Sequence, residues 1–210
     1  NMLLMILAAY PLSKEKNMFK SRNIYAWFFM VTMLFNPGLI PWYMAIKYTG
    51  LLDKVWALVI PGAIPVFSMI ILMNFFRRLP PELEEAAFID GAGHWKILWG
   101  IFIPISKPAL ATVSLFSIVT HWNSWFDNYL YNSRNARLSL LQYELMKILL
   151  DSSNQQSAAQ THMDESTVKV VSPQSIRATM TIIATVPILL VYPFLQSYFI
   201  KGMTLGAVKE

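Results

Sequence analysis

The residues whose types and spacing could carry a function lie in one polar segment between two apolar stretches, residues 77–107. Three glutamates, two alanines and two glycines mark this segment, namely Glu82, Glu84, Glu85, Ala86, Ala87, Gly91 and Gly93. Carboxylates beside small side chains form a charged surface that another protein can approach closely. The chemistry that this pattern predicts is docking and not bond making.

Two short helices joined by a glycine turn are expected to hold this surface. The prolines at positions 80 and 81 suit a helix start, where the missing N–H costs nothing. The helix dipole favours glutamates in the first turn. Gly91 and Gly93 can take positive φ and end the helix. The turn therefore follows directly after the acidic helix.

The second helix is predicted from a repeat of apolar residues. Trp95, Leu98, Trp99 and Phe102 fall at i, i+3, i+4 and i+7. This spacing places them on one face, which is expected to lie on the membrane interface or on other helices.

No pattern of catalytic or metal-binding residues accompanies this segment. The three histidines, His94, His121 and His162, lie on different segments, and the chain has no cysteine. It also lacks the Gly-x-x-x-x-Gly-Lys-Ser/Thr loop that binds nucleotide phosphates. We therefore expect no catalytic residue, no metal site and no cofactor in this chain.

The composition predicts an integral membrane protein. Of 210 residues, 55% are hydrophobic and 14% are charged, against about 25% charged in soluble domains. Charge-free runs predict four membrane spans, since each is close to the length that crosses a bilayer; they are 24–46, 55–76, 108–127 and 178–200. Residues 1–13 are apolar but shorter, and we interpret them as the end of a span that begins before this numbering. Spans in lipid must be helical or form closed barrels, so these runs predict an all-α, polytopic membrane bundle.

Charge also predicts orientation. Lys and Arg concentrate in cytoplasmic loops, which places 77–107 and the tail 201–210 in the cytoplasm and makes 128–177 an outer loop. The same rule explains the net charge of +5. Nucleic-acid binding is not expected, because no basic stripe with interleaved aromatic residues lies on a polar segment.

Prolines and glycines are expected to break two of the spans. They lie at 36–41 in the first full span and at 61–65 in the second, where proline removes a helical hydrogen bond. Broken spans are tolerated where they face protein or a water-filled cavity, which favours a transporter or a channel. An ordinary kinked bundle helix is the alternative.

The outer loop has two parts. Residues 138–150 carry apolar residues at nearly helical spacing and predict an amphipathic helix at the interface. Residues 151–175 are rich in Ser, Gln, Asn and Thr. A stretch of this length predicts either a linker or a loop that reaches a partner outside.

A polar and aromatic cluster at the outer end of the third full span is a candidate substrate path. Its members are His121, Trp122, Asn123, Trp125, Asp127 and Asn128. Aromatic faces and hydrogen-bonding amides and carboxylates can line a path for a polar solute. The alternative is an interfacial belt, in which tryptophan is also common.

The polar segment resembles the EAA signature of permease subunits of bacterial ABC importers. The resemblance rests on Glu85-Ala86-Ala87, on Gly91, and on Ile101-Phe102-Ile103-Pro104. The family usually has leucine where this chain has Ile103. Residues 80–92, 121–127 and 198–209 are similar to the carbohydrate-uptake, maltose-permease-like branch, and to permeases for oligomeric sugars in particular. The likeness covers essentially the whole chain and implies the ABC importer type I permease fold, with the N-terminal span or spans missing from this numbering.

The resemblance implies a multi-pass protein of the bacterial inner membrane, surrounded by lipid. Its expected partners are a second homologous permease, two ATPase subunits that hold ATP and Mg²⁺, and an extracytoplasmic solute-binding protein. The helix over 83–91 would dock in an ATPase cleft, with Glu85 as the charged contact, Ala86 and Ala87 allowing the close fit, and Gly91 making the turn. The expected coupling residues are Glu85, Ala86, Ala87, Asp90, Gly91, Ile101 and Pro104. The importer would move a sugar by alternating access.

Three other interpretations remain at this level. An ABC importer permease for another solute fits the same motif. A stand-alone secondary transporter would not need the EAA segment, and the charge-free spans argue against it. A membrane enzyme lacks support, because no nucleophile and base are paired.

Overall fold

The computed structural model describes the backbone of residues 1–159 and 173–207, and the side chains of 1–135, 137–151 and 174–193. Within that part all regular structure is helical, and no strand is present. The α-helices are α1 (Met2–Ser13), α2 (Arg22–Leu34), α3 (Leu39–Tyr48), α4 (Trp56–Val59), α5 (Val66–Arg77), α6 (Pro81–Ile89), α7 (His94–Ile97), α8 (Ile103–Ile105), α9 (Lys107–Trp122), α10 (Trp125–Asn132), α11 (Leu141–Ala159) and α12 (Pro173–Ala207). A π-helical turn spans Leu98–Phe102, and a 3-10 turn spans Ala136–Leu138.

The first of two compact units comprises residues 1–42, 60–118 and 194–207. Its core forms where α1 packs along α5. Met5, Met69 and Leu72 are fully buried there, because apolar side chains from both helices leave water together. Phe102 and Ala87 belong to the same buried cluster. The polar segment is therefore built directly onto the α1–α5 core.

The second unit comprises residues 43–59, 119–159 and 173–193. Its small core contains Ile46, Ala57 and Tyr131. The rings of Tyr43 and Tyr131 stack with centroids 6.5 Å apart. The backbone N–H of Asp53 donates to the Tyr131 carbonyl at 2.9 Å, which attaches the loop before α4 to α10.

The predicted break in span 24–46 is confirmed. α2 ends at Leu34 and α3 begins at Leu39. Between them Gly38 has φ +85°, and its N–H donates to the Asn36 side-chain oxygen at 3.0 Å. In the region of span 55–76, α4 ends at Val59 and α5 begins only at Val66. The proline and glycine residues thus divide both regions into helices shorter than a bilayer.

By length and composition, one described helix can cross a membrane, the part of α12 over Gln174–Pro193, with a mean hydropathy of 1.6. The count rises to three if the bent pair α2 with α3, and the bent pair His94–Ile105 with α9, are each one span. α1 and α5 are apolar but shorter. The breaks predicted at proline and glycine residues are thus present in the regions of the first two spans, and α12 is the described helix that matches a predicted span without a break.

Other predicted boundaries also shift. Span 108–127 ends earlier, since α9 stops at Trp122. The tail expected at 201–210 continues α12 as far as Ala207, and 208–210 lie outside the described residues. The interfacial helix expected at 138–150 is α11, which begins at Leu141 and runs to Ala159. The predicted linker 151–175 therefore starts inside a helix, and its residues 160–172 lie outside the described part.

Candidate functional site

The candidate site is the polar segment, residues 77–107, and its central element is α6. Pro80 precedes the helix and Pro81 is its first residue, as expected from the sequence. Glu82 and Glu84 lie in the first turn. Their carboxylates lie near the positive end of the helix dipole, which stabilises them there.

The outer face of α6 carries the residues that a partner could touch. Glu82, Glu85, Ala86 and Ile89 are spaced i, i+3, i+4 and i+7, and all four are exposed. Ile89 is 87% exposed, although it is apolar. Among the described residues, the Glu85 carboxylate has no hydrogen-bond or ion-pair partner. This face combines charge, a small side chain and an exposed apolar side chain, which is typical of a protein-binding surface.

The inner face of α6 holds the helix on the protein. Ala87 is buried in the α1–α5 core, and Phe88 packs partly against it. The expectation that Ala86 and Ala87 share one approachable face is therefore wrong for Ala87. It lies three residues after Glu84, so helical geometry places the two on the same inward side.

The end of α6 is a Schellman motif. The N–H of Gly91 donates to the Phe88 carbonyl at 3.0 Å, and the N–H of Ala92 donates to the Ala87 carbonyl at 2.9 Å. Asp90 is the exposed C-cap residue. Gly91 has φ +75°, which confirms its predicted role. Gly93 differs from the expectation: its φ is −77°, and it begins α7 instead of ending α6.

The second arm of the segment is not one regular α-helix. The Ile103 N–H donates to the Leu98 carbonyl, which is the i→i−5 bond of a π-helical turn. Pro104 lacks the N–H that would bond the Gly100 carbonyl in an α-helix. The π-helical turn therefore directly precedes a residue that cannot continue the ordinary ladder.

Two residues of the predicted apolar face pack on other helices, as expected, and contact with the membrane interface stays a prediction for its two tryptophans. Leu98 and Phe102 are buried, but Trp95 is 66% exposed and Trp99 is also exposed. A π turn adds a residue to the turn, so residues on its two sides no longer keep α-helical spacing. Ile101 packs partly against the core, and Pro104 is exposed.

A buried ion pair joins α6 to the end of α1. Lys14 Nζ lies 2.6 Å from Glu84 Oε1, with the two side chains 6% and 14% exposed. The ammonium also lies 3.9 Å from the Tyr10 ring centroid and 4.0 Å from that of Phe102. Burial lowers the pKa of Lys14, and the hydrogen bond and charge of Glu84 oppose that shift. The aromatic faces and the carboxylate replace the water that the ammonium has lost.

Two arginines secure the same end of α1. Arg77 Nη2 donates to the Leu12 carbonyl at 2.9 Å, and Arg22 Nη1 donates to the Lys14 carbonyl at 2.7 Å. Guanidinium groups at a helix C-terminus pair orphan carbonyls and interact favourably with the dipole. These two hydrogen bonds fix the backbone where the chain leaves α1.

A polar cavity of about 250 Å³ adjoins the ion pair. Its lining includes Lys14, Arg77, Glu84 and Glu85. Glu84 and Glu85 both border this cavity, although Glu84 is paired with Lys14 and Glu85 is exposed.

The candidate substrate path separates into two groups. Asn128 is fully buried; its Nδ2 donates to the Leu138 carbonyl at 2.8 Å and its Oδ1 accepts from the Leu140 N–H at 3.3 Å. Trp122 Nε1 donates to the Ala184 carbonyl of α12 at 2.9 Å. Asn128 does not fit the predicted path, because both ends of its amide are used to hold the loop after α10.

The remaining members lie closer to solvent. His121, Asn123 and Asp127 are exposed, and Trp125 is half-buried, with its ring edge-to-face on Phe126. These four remain candidates for sugar contact. In the described part of the chain, no group of three or more His, Cys, Asp or Glu side chains could hold a metal ion.

Residues 17–205 match the family described as "binding-protein-dependent transport system inner membrane component". The chain belongs to this family. Its relatives include the protein LplC of Bacillus subtilis (strain 168), 43% identical over 201 residues, an alignment that covers 96% of this chain and 66% of LplC. The polygalacturonan/rhamnogalacturonan transport system permease protein YtcP of the same organism is 42% identical over 212 residues, covering 100% of this chain and 71% of YtcP. The chain thus spans about two thirds of the length of these relatives.

A solved structure shares the fold of this permease family. It is the crystal structure of a bacterial ABC transporter involved in the import of the acidic polysaccharide alginate. The TM-score is 0.79 at 30% sequence identity, and the match covers 94% of this chain and 68% of that chain. The predicted all-α, ABC importer type I permease fold is confirmed, as is the resemblance on which it rested.

Sequence reasoning missed the residues that hold the polar segment of this family member in place. Lys14, Tyr10 and Arg77 carried no local signal beyond a cation at the end of an apolar run. One signal was available: Glu84 and Ala87 share a helical face opposite to Glu85 and Ala86. That spacing could have separated the inward glutamate from the outward one.

Proposed function

We propose that this chain is the transmembrane permease subunit of a binding-protein-dependent, ATP-driven importer. It moves a sugar, in the form of an oligosaccharide, across the bacterial cytoplasmic membrane by alternating access. The observation that carries the proposal is the outer face of α6, where Glu82, Glu85, Ala86 and Ile89 face outward on a helix fixed to the α1–α5 core. A partner that grips this face can move the attached helices.

The partners follow from this face and from the family. Two ATPase subunits bind on the cytoplasmic side, one of them at α6, and they hold ATP and Mg²⁺. A basic ATPase side chain that contacts the outer face of α6 would meet the Glu85 carboxylate, which has no partner among the described residues. A second homologous permease, lipid and an extracytoplasmic solute-binding protein complete the surroundings of the chain.

The apolar surface of α2 supports a place in the membrane. This helix has no buried residue, and Ile24, Trp27 and Phe28 are all exposed. An exposed apolar surface of this extent is expected to contact lipid or another subunit.

The cargo class is supported by the names of the relatives. YtcP is named for polygalacturonan and rhamnogalacturonan, and the solved importer takes up alginate. The exposed side chains at the outer end of α9, His121, Asn123 and Asp127, supply hydrogen-bonding groups suited to sugar hydroxyls.

The test is the ATPase rate of the full importer reconstituted in liposomes with its binding protein and candidate oligosaccharides. Glu85→Ala is expected to lower the stimulated rate by about tenfold or more, because truncating one partner of a desolvated charge pair costs about 2 kcal/mol or more. Asp53→Asn is the control, since it also removes one carboxylate, lies outside the segments assigned to partners, and asparagine accepts the φ of 56° found there. It should leave the rate unchanged.

Two results would contradict the proposal. If Glu85→Ala keeps full stimulation and transport, α6 is not the docking element. If hydrolysis responds to a charged or amino-acid solute and to no oligosaccharide, the machine is an importer but the sugar assignment is wrong.

A further inference from the structure

Lys14 is an unusual residue for the end of a membrane helix, because its charged end points into the protein. Lysines in this position normally extend into water or toward lipid headgroups. Here the side chain is 6% exposed and its ammonium lies 2.6 Å from the Glu84 carboxylate. The chain therefore places a charge where it costs free energy unless it is fully paired.

The Lys14 ammonium has three partners, and each comes from a different helical segment. Glu84 comes from the first turn of α6, Tyr10 from α1, and Phe102 from the π-helical turn. The rings of Tyr10 and Phe102 meet edge to face, with centroids 5.1 Å apart. The ammonium lies about equally far from both ring centroids, at 3.9 and 4.0 Å. We name this group the lysine clamp: Lys14 with Glu84, Tyr10 and Phe102.

α6 has few other attachments. Ala87 is its one buried side chain among the described residues, and Phe88 packs partly against the core and edge to face on His94. The helix begins after Pro80 and ends at Gly91, and a glycine with positive φ is a point where the chain direction changes sharply. A force applied to the outer face of α6 would tilt this nine-residue helix relative to α1 and α5. Glu84 resists that tilt, because its carboxylate is held inside the chain by Lys14, whereas the Glu85 side chain is exposed.

The other side of the clamp is rigid. Arg77 and Arg22 donate to the carbonyls of Leu12 and Lys14, so the end of α1 cannot unwind without breaking both bonds. Phe102 also packs edge to face on Phe76 of α5, with ring centroids 5.5 Å apart. A displacement of α6 is thus passed to α1 and α5 together.

We infer that Lys14 is a positioning residue for energy coupling, which acts through Glu84 to make α6 move as one body with α1. The inference rests on the proposed function and names the contact inside the chain that it requires. Docking at Glu85 supplies the force, and the lysine clamp transmits it. Without the clamp the ATPase would still bind α6 and hydrolyse ATP, but less of that motion would reach the spans.

The main test is Lys14→Met combined with Glu84→Gln in the full importer. Both changes keep side-chain volume and remove the two charges together, so no buried charge is left unpaired. We expect the complex to assemble with its ATPase subunits and to keep its basal hydrolysis. The sugar transported per ATP hydrolysed is expected to fall by about tenfold, within the usual range of a coupling free energy.

Two further variants test the chemistry of the clamp. Lys14→Arg keeps a cation that can stack on aromatic rings, and it should retain coupling. The exchange Lys14→Glu with Glu84→Lys keeps an ion pair but puts a carboxylate against two ring faces, which repel negative charge. The exchange should not restore coupling. If the ion pair alone were sufficient for coupling, the exchange would restore it.

A covalent link provides a rescue that does not depend on stability. The chain has no native cysteine, so Lys14→Cys with Glu84→Cys can be joined by a short bismaleimide within this subunit. Coupling should be low before the reaction and recover after it, with assembly unchanged.

The outcomes separate the inference from the proposed function. If the wild-type importer shows no hydrolysis stimulated by binding protein, the proposed function fails and the clamp has no coupling role. If the wild type is coupled and the double variant transports as much sugar per ATP as the wild type, the clamp is only structural and the inference is overturned. Failure of the bismaleimide to change the coupling of the cysteine pair would also overturn it.

Discussion

Glu84 and Glu85 are consecutive residues of α6 whose carboxylates lie in opposite environments. Glu84 is 14% exposed and accepts a hydrogen bond from Lys14. Glu85 is exposed and unpaired among the described residues. One glutamate therefore holds the helix to its own chain, and the other is available to a different chain.

This difference predicts that substitution by alanine lowers the stability much more at Glu84 than at Glu85. Glu84→Ala should lower the free energy of unfolding by about 3 kcal/mol, because it leaves the Lys14 ammonium buried without its carboxylate. Glu85→Ala should change it by about 0.5 kcal/mol or less, as is usual for exposed residues. Reversible unfolding of the purified subunit in detergent measures both values. Equal losses for the two variants would mean that Glu84 is not anchored as the structure has it.

A second prediction concerns the turn after α6. Gly91→Ala should cost about 1 kcal/mol, because an L-residue is strained at φ +75° even though no atom lies within 4 Å of the added Cβ. Gly93→Ala is the matched control: its Cβ also meets no atom within 4 Å, but its φ is negative.

The same unfolding measurement decides the outcome. If only Gly91→Ala lowers the stability, the loss comes from the positive φ at that position. Comparable losses at both positions would point instead to a general intolerance of the turn to side chains.

Local signals were sufficient to predict α6 and its end. Proline at the first helical position, glutamates in the first turn and glycine after the last are all read within about ten residues. The π-helical turn of the second arm was not predicted, because Pro104 affects hydrogen bonds earlier in the chain, where the spacing of the apolar residues looked regular.

The lysine clamp could not be predicted in this way. Lys14 and Glu84 are 70 positions apart, and they meet only because α1 packs along α5. No periodicity contains that information. The sequence predicts the helical face on which Glu84 lies, but it does not predict that Lys14 is the partner of Glu84.

A third prediction separates structure from substrate contact at the outer end of α9. Asn128→Ala should lower the free energy of unfolding by about 2 kcal/mol, since it removes the two hydrogen bonds that the buried Asn128 amide makes to the loop after α10. It should leave unchanged the sugar concentration that half-saturates transport. Asn123→Ala, at an exposed position, should have little effect on stability.

Transport assays with the stable fraction of each variant check this division. A large change in half-saturation for Asn128→Ala, with stability intact, would return that residue to the substrate path. The same change for Asn123→Ala would place Asn123 on the path.

The last prediction concerns Asn132, one helical turn after Asn128 on the same face of α10. It is 1% exposed, and neither Nδ2 nor Oδ1 has a hydrogen-bond partner in the part of the chain that the structure describes. A buried amide without partners costs free energy. Asn132→Leu, which keeps the number and branching of the side-chain heavy atoms, should therefore raise the free energy of unfolding of the isolated subunit by about 1 kcal/mol. Asn128→Leu is the control and should lower it, because the Asn128 amide bonds Leu138 and Leu140. If Asn132→Leu destabilises the subunit instead, the Asn132 amide makes a bond that stabilises the native chain, and α10 is held by two asparagines and not by one.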